Sequence, residues 1–116
     1  MHVVNSSEDL KKYLESTTRL SGEHPVVITK FIEGAQEVEM DAVANKGKMM
    51  GCVLTEHLER AGVHSGDATL MLPTQSISDF AIDQIKNVGK KVAEKFKITG
   101  PFNLQFLIKD DEVLVS

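Results

Sequence analysis

Residues 36–44 alternate with a period of two. Val38, Met40, Ala42 and Ala44 point one way and Glu37, Glu39 and Asp41 the other, the pattern of a strand with one buried and one polar face. Asn45-Lys46-Gly47-Lys48 then reads as a hairpin turn, with Gly47 supplying a positive φ, and residues 49–57 as the returning strand. A second alternating run sets Phe102, Leu104, Phe106 and Ile108 against Asn103 and Gln105. Asp110-Asp111 forms a turn after it, and residues 112–115 begin a final strand. The β-branched run Val26-Val27-Ile28-Thr29-Lys30-Phe31-Ile32 predicts another strand, and residues 68–72 a short one ended by Pro73.

Two segments follow helical spacing. In the first, Ser6 caps, Glu8 and Asp9 occupy the first turn, and Leu10, Tyr13, Leu14 and Thr17 recur with Leu20 near the end, before Gly22 and Pro25. In the second, Ser78 caps, Asp79 follows, and Ile82, Ile85, Val92 and Phe96 mark the buried side with Val88 and Ala93. Gly89 inside this helix costs it about 1 kcal/mol relative to alanine, which a close packing contact would explain. Gly100-Pro101 breaks the chain after it. The architecture expected is a single α+β domain, a largely antiparallel sheet with two helices on one face, without repeats or linker.

Composition narrows this picture. At 116 residues the chain has room for one core and not for two. Aromatic residues are only 5% and tryptophan is absent, so the core rests on Val, Ile, Leu and Met. A formal net charge of −4 argues against a nucleic-acid partner. No apolar run approaches the roughly 18 residues that would suggest a membrane helix, and Met1-His2-Val3-Val4-Asn5 shows no signal-peptide pattern. The lone Cys52 rules out an internal disulfide, fits a reducing compartment and reads as a small apolar strand residue.

Three groups carry candidate chemistry. The acidic row Glu37, Glu39, Asp41 could meet a cation, a sugar or an ammonium group, against the plainer reading of a solvated strand face. The run from Glu56 to Asp67, Glu-His-Leu-Glu-Arg-Ala-Gly-Val-His-Ser-Gly-Asp, crowds titratable groups and glycines into one loop, where backbone amides can cradle phosphate and oxygens can hold a monovalent cation. Its histidines, His57 and His64, lie too far apart for a zinc motif, and neither a P-loop nor a dinucleotide fingerprint is present. The third group, Asn103 and Gln105, offers neutral oxygens suited to magnesium or a nucleotide, against the reading of a plain polar strand face.

These residues resemble a known family. The run 56–67 is similar to the glutamate-histidine … alanine-glycine-valine-histidine-serine-glycine-aspartate signature of carbamoyl-phosphate synthase large subunits. Gly100-Pro101-Phe102-Asn103-Leu104-Gln105-Phe106 resembles that family's other hallmark strand, and residues 27–42 resemble the segment that joins them to the N-terminal lobe. The resemblance implies an ATP-grasp C-terminal lobe, part of an ATP-dependent ligase. The serine of His64-Ser65-Gly66-Asp67 points to the half that phosphorylates carbamate to carbamoyl phosphate. Carried over by position, Glu37 binds the ribose of ATP and Lys30 and Ile32 flank the adenine. Gly62, Val63, His64 and Ser65 close over ribose and phosphate, and Gln105 binds magnesium or manganese. Glu37, His57, Glu59, Val63 and Ser65 resemble a potassium cluster. The implied cofactors are ATP, Mg2+ (or Mn2+) and K+. The implied partners are the remainder of the synthase large subunit and a glutaminase subunit or domain.

The stretch Thr69-Leu70-Met71-Leu72-Pro73-Thr74-Gln75 is nearer the ammonia-using enzyme of the urea cycle than the cytosolic pyrimidine-pathway form, which implies the mitochondrial matrix, with the cytoplasm as the alternative. The strand under way at residues 112–115 leads us to expect a partial ATP-grasp domain spanning 1–116. It would lack the second metal ligand, an arginine and the glycine-rich lid of the N-terminal lobe, and would be inactive alone. A contrasting expectation is a non-enzymatic module that docks through the open sheet edge of that strand, and another is a structural domain that holds a cation on its acidic face.

Overall fold

The computed structural model describes residues 2–18, 26–63 and 67–116. It divides into two compact units, Met1–Phe31 and Ile32–Ser116. The first contains helix α1 (Ser7–Thr18). Its N-terminus is capped as expected: the Asp9 amide donates to Ser6 Oγ at 3.1 Å, and Ser6 Oγ donates to the Asp9 carboxylate at 2.7 Å. Leu20, Gly22 and Pro25, expected to end this helix, lie outside the described residues. In the same unit the His2 and Tyr13 rings stack with centroids 4.4 Å apart.

The second unit is a five-stranded antiparallel sheet with one helix packed on it. In chain order its elements are β1 (Gln36–Asn45), β2 (Lys48–His57), β3 (Leu70–Met71), α2 (Asp79–Phe96), β4 (Gly100–Lys109) and β5 (Glu112–Val115). The strand order is β3-β2-β1-β4-β5, so β1 is central and β5 is an edge. β1 pairs antiparallel with β2 on one side and β4 on the other, Met40 opposite both Leu54 and Leu104.

The pleat sorts side chains as the alternation requires. Val38, Met40, Ala42 and Ala44 are buried, and the first three gather with Leu54, Phe106, Ile108 and, from α2, Ala81 and Ile85. Residues opposite each other across an antiparallel ladder share a face. Glu37, Glu39 and Asp41 therefore share the other face with Thr55 and His57 of β2 and Asn103, Gln105 and Leu107 of β4.

Turn chemistry accounts for both hairpins. Lys46 and Gly47 both adopt positive φ (49° and 82°), the two-residue turn whose twist suits a hairpin. Asp110 and Asp111 do the same (51° and 62°), a conformation short polar side chains tolerate. Helix α2 starts where expected, Ser78 Oγ accepting from the Ala81 amide at 3.1 Å. It ends at Lys97, whose φ of 51° lets the Lys97 and Ile98 amides reach the Glu94 and Ala93 carbonyls.

Four expectations are corrected. Residues 26–32 form no strand: a β-branched run becomes one only with a ladder partner, and here Val27 and Ile28 stay exposed. The strand expected over 68–72 shrinks to two residues, Leu70–Met71. Gly100-Pro101 does not break the chain after α2. It opens β4, paired with Ala44 and Val43, because the left-handed Lys97 has already ended the helix. Phe96 is exposed at the last position of α2, and the helix buries Ala81, Ile85, Gly89 and Ala93. The expectation of two helices on one face is met for α2, whereas α1 belongs to the other unit.

Gly89 is buried because Met40 occupies its place. A Cβ built on Gly89 would stand 2.3 Å from Met40 Cε and 2.8 Å from its sulfur, and Met40 is itself fully buried. Gly89→Ala would gain about 1 kcal/mol of helix propensity and lose about 1–3 kcal/mol to overpacking. We expect a net loss of about 1 kcal/mol by urea unfolding. A Gly89→Ala chain more stable than wild type would show that Met40 moves aside freely.

Candidate functional site

The polar face of the sheet holds a connected set of side chains. Glu37 is half-buried, and its Oε1 accepts a hydrogen bond from Gln105 Nε2 across the β1/β4 seam. Its other oxygen stands 3.9 Å from His57 Nδ1. His57 is only 5% exposed, and its Nε2 meets Glu39 Oε1 at 3.0 Å. Asn103 Nδ2 donates to Asp41 Oδ1 at 2.9 Å and reaches Glu39 Oε2 at 3.5 Å. Three strands thus contribute to one network. Its order follows from the register, with Glu39 opposite both Thr55 and Gln105, and Asp41 opposite Asn103. Gln36, on the core face, donates its side-chain amide to the His57 carbonyl and fixes the backbone at the end of β2.

The loop after β2 is tied down at its base. The Leu58 amide donates to the Thr69 carbonyl at 2.8 Å, and the Thr69 amide to Glu59 Oε2 at 3.1 Å. The Ala61 amide reaches the Ala35 carbonyl, and Arg60 reaches the Gly34 carbonyl at 3.3 Å. Gly62 adopts φ +83°, a conformation that favours glycine, and the Val63 amide turns back to the Arg60 carbonyl. His64 and Ser65 lie outside the described residues.

Of the residues expected in the site, the structure brings Glu37, His57 and Gln105 together. Glu59 appears at the loop base with the Thr69 amide on its carboxylate. Val63 is exposed, Ile32 lies at the start of the second unit, and Lys30 is an exposed residue of the first. Among the described residues no three His, Cys, Asp or Glu side chains are gathered as a metal site. The donor chemistry still suits a hard cation, since oxygen donors dominate the face. Thr55 Oγ1 is buried with no hydrogen-bond partner among the described residues, and its register places it on this same face, opposite Glu39. An orphaned hydroxyl here fits a site that completes its bonding with a bound group.

Sequence reasoning missed the anchoring part played by Glu56. It faces the core opposite Val38, is 1% exposed, and accepts from the Gln75 amide (2.7 Å), the Ser76 amide (3.0 Å) and the Ser76 hydroxyl. The signal was an acid at an apolar position of the alternation, one residue before His57. Burial, the largest single influence, pushes the Glu56 carboxyl up. The Ser76 hydroxyl, the Ser76 and Gln75 amides and the Arg60 charge together outweigh it and hold the group below its ordinary value of 4.5.

With this geometry in view, the fold falls in a class already known. The chain shares its fold with phosphoribosylglycinamide synthetase from Anaerococcus prevotii, with a TM-score of 0.58 and 18% identity over 98% of this chain and 36% of that one. This bears out the α+β, ATP-grasp reading of the fold. The family described as carbamoyl-phosphate synthase L chain, ATP binding domain, matches residues 1–115, and the chain belongs to that family. It is 59% identical over 115 residues to the mitochondrial carbamoyl-phosphate synthase (ammonia) of Rattus norvegicus and of Homo sapiens, covering 99% of this chain and 8% of each relative. It is 51% identical over 111 residues to the mitochondrial, arginine-specific carbamoyl phosphate synthase large chain of Neurospora crassa, covering 96% of this chain and 10% of that one.

Glu56 generates a stability prediction. Because its folded value is depressed, it contributes stability that is present above the unfolded carboxyl value and lost as pH falls through the folded one. Glu56→Gln sets an amide N–H2 against donors and should cost about 2–3 kcal/mol at neutral pH. The deficit should shrink on acidification below about pH 4. Urea midpoints of both chains across this range check it, and a pH-independent difference would rule out the ionised anchor.

Proposed function

We propose that this chain contributes to the ATP-binding, carbamate-phosphorylating site of a carbamoyl-phosphate synthase, an ATP-dependent ligase that converts carbamate and ATP to carbamoyl phosphate and ADP. The observation that carries the reading is the juxtaposition of Glu37, Gln105 and His57 on the polar face of the sheet. In this reading Glu37 engages the ribose, and Lys30 and Ile32 flank the adenine. Gly62, Val63, His64 and Ser65 close over ribose and phosphate. Gln105, whose N–H2 is turned to Glu37, has its amide oxygen left for magnesium or manganese. Glu37, His57, Glu59, Val63 and Ser65 would hold potassium. Magnesium, when bound, neutralises phosphate charge during transfer.

The chain's own residues orient the nucleotide and supply acceptors. They supply little positive charge beside the acids: the face carries three carboxylates, and Lys109 donates at 2.9 Å to the Glu33 carbonyl. Phosphoryl transfer depends on cationic clamping of the transferring group. These 116 residues by themselves would therefore turn over no substrate, and catalysis needs groups supplied by the remainder of the synthase large subunit. A glutaminase subunit or domain is the other proposed partner. The relatives' names include mitochondrial, and the mitochondrial matrix is the compartment we propose.

In a full-length synthase carrying this segment, Glu37→Ala should raise KM for ATP in carbamate phosphorylation by about tenfold or more. Unchanged kcat and KM would sink the assignment. ATP-dependent carbamoyl phosphate synthesis by the isolated 116 residues would overturn the need for outside groups.

A further inference from the structure

Glu39, Asp41 and Asn103 have no role in the reading above, yet Glu39 meets His57 directly and Asn103 and Asp41 join it through Glu39. Ionised carboxylates only accept hydrogen bonds, so every neighbour within bonding distance must donate. Asn103 therefore turns its N–H2 toward Asp41 (2.9 Å) and Glu39 (3.5 Å). Glu39 Oε1, 3.0 Å from His57 Nε2, requires a proton on that nitrogen. A bare Nε2 would set lone pair against lone pair in a largely buried place. His57 Nδ1 faces Glu37 Oε2 at 3.9 Å, beyond hydrogen-bond distance, while Glu37 Oε1 is already held by Gln105. A proton on Nδ1 would have no acceptor within bonding distance among the described residues.

We infer that Asp41, Asn103 and Glu39 form a hydrogen-bond chain, Asn103 donating to both carboxylates and Glu39 accepting also from His57, that fixes the tautomer of His57, with the proton on Nε2 and the Nδ1 lone pair presented beside Glu37. The three are positioning residues, since they act through His57. The functional meaning of this chain rests on the reading of His57 and Glu37 as nucleotide-site groups. It makes the corner between them an acceptor pair, Nδ1 and Oε2, ready for a cation or for a hydroxyl or water that donates to both. A carboxylate that sets which histidine nitrogen is free is a common way to orient a ligating imidazole.

The fixed donor and acceptor roles along this chain make the test sharp. In Glu39→Gln, Asp41 still holds the N–H2 of Asn103, so the introduced amide must turn its carbonyl to Asn103 and its own N–H2 to His57. Nε2 must then accept, and the proton moves to Nδ1. Adding Asp41→Ala frees the Asn103 amide to flip, which lets the introduced amide return its carbonyl to His57 and restores the first tautomer. Nitrogen-15 and carbon-13 shifts of the His57 ring, read by NMR on the full chain, follow each step.

The expected series is Nε2–H in wild type, Nδ1–H in Glu39→Gln, and Nε2–H again in the double variant. A wild-type ring protonated on Nδ1 alone or on both nitrogens overturns the inference, and so does a Glu39→Gln ring unchanged from wild type. The wild-type spectrum decides the proton's place even if a variant does not fold. Potassium and magnesium-ATP titrated into the wild-type sample separate the two readings. The expected tautomers with no ring response to either addition uphold the hydrogen-bond chain and overturn only the nucleotide-site reading.

Discussion

For α2 to seat on the sheet, every second residue of β1 must be apolar, and the pleat then commits the residues between them to the opposite face. Val38, Met40, Ala42 and Ala44 meet the first demand and are buried. Glu37, Glu39 and Asp41 are the consequence. The candidate site is thus the reverse side of the hydrophobic core, carried on the same central strand. Because β1 is paired on both edges, its backbone is satisfied by β2 and β4 and cannot twist away to relieve crowding among the acids. The acids are instead accommodated by donors on the flanking strands, His57 on one side and Asn103 and Gln105 on the other.

Two anchors keep this arrangement in place. Glu56 points into the core side of β2 and holds the backbone at Gln75 and Ser76, so the segment that leads into α2 is tied to the strand that delivers His57. Ser78 both caps α2 and donates to Asp111 at 2.6 Å, which joins the start of the helix to the β4/β5 turn. A buried carboxylate is costly unless its oxygens are satisfied, and Glu56 meets that condition with donors from Gln75 and Ser76.

Much of the fold was legible because it follows from local rules. The period-two runs at β1 and β4, the Lys46-Gly47 turn and the Ser78 cap each need only neighbours in sequence to be read. The failures share a different cause. The run at 26–32 has strand propensity and no partner, and pairing is a property of the tertiary structure. Phe96 keeps helical spacing but sits beyond the sheet's reach, at the end of α2. Gly89 reads as a defect until Met40 is seen in its place. In the site, the acidic row and the Asn103/Gln105 pair were visible as separate strand faces. Their junction was not, because it depends on register between segments far apart in the chain, and the roles of Glu56 and Gln36 emerge only when loop and strand are brought together.

The β1/β4 seam has one further consequence. An apolar face made of Val, Met, Leu and Ala distinguishes poorly between an alignment and one displaced by two residues, since both leave oily side chains against α2. The opposite face is far less forgiving. Gln105 must fall beside Glu37, and Asn103 beside Asp41, while Glu39 stays within reach of His57. A seam displaced by two residues would set Asp41 opposite Pro101 in one direction and Glu39 opposite Leu107 in the other, in place of Asn103 and Gln105. The polar row therefore works as a vernier on the coarse scale of the hydrophobic core: chains that assemble the wrong seam are penalised by the same residues that define the site.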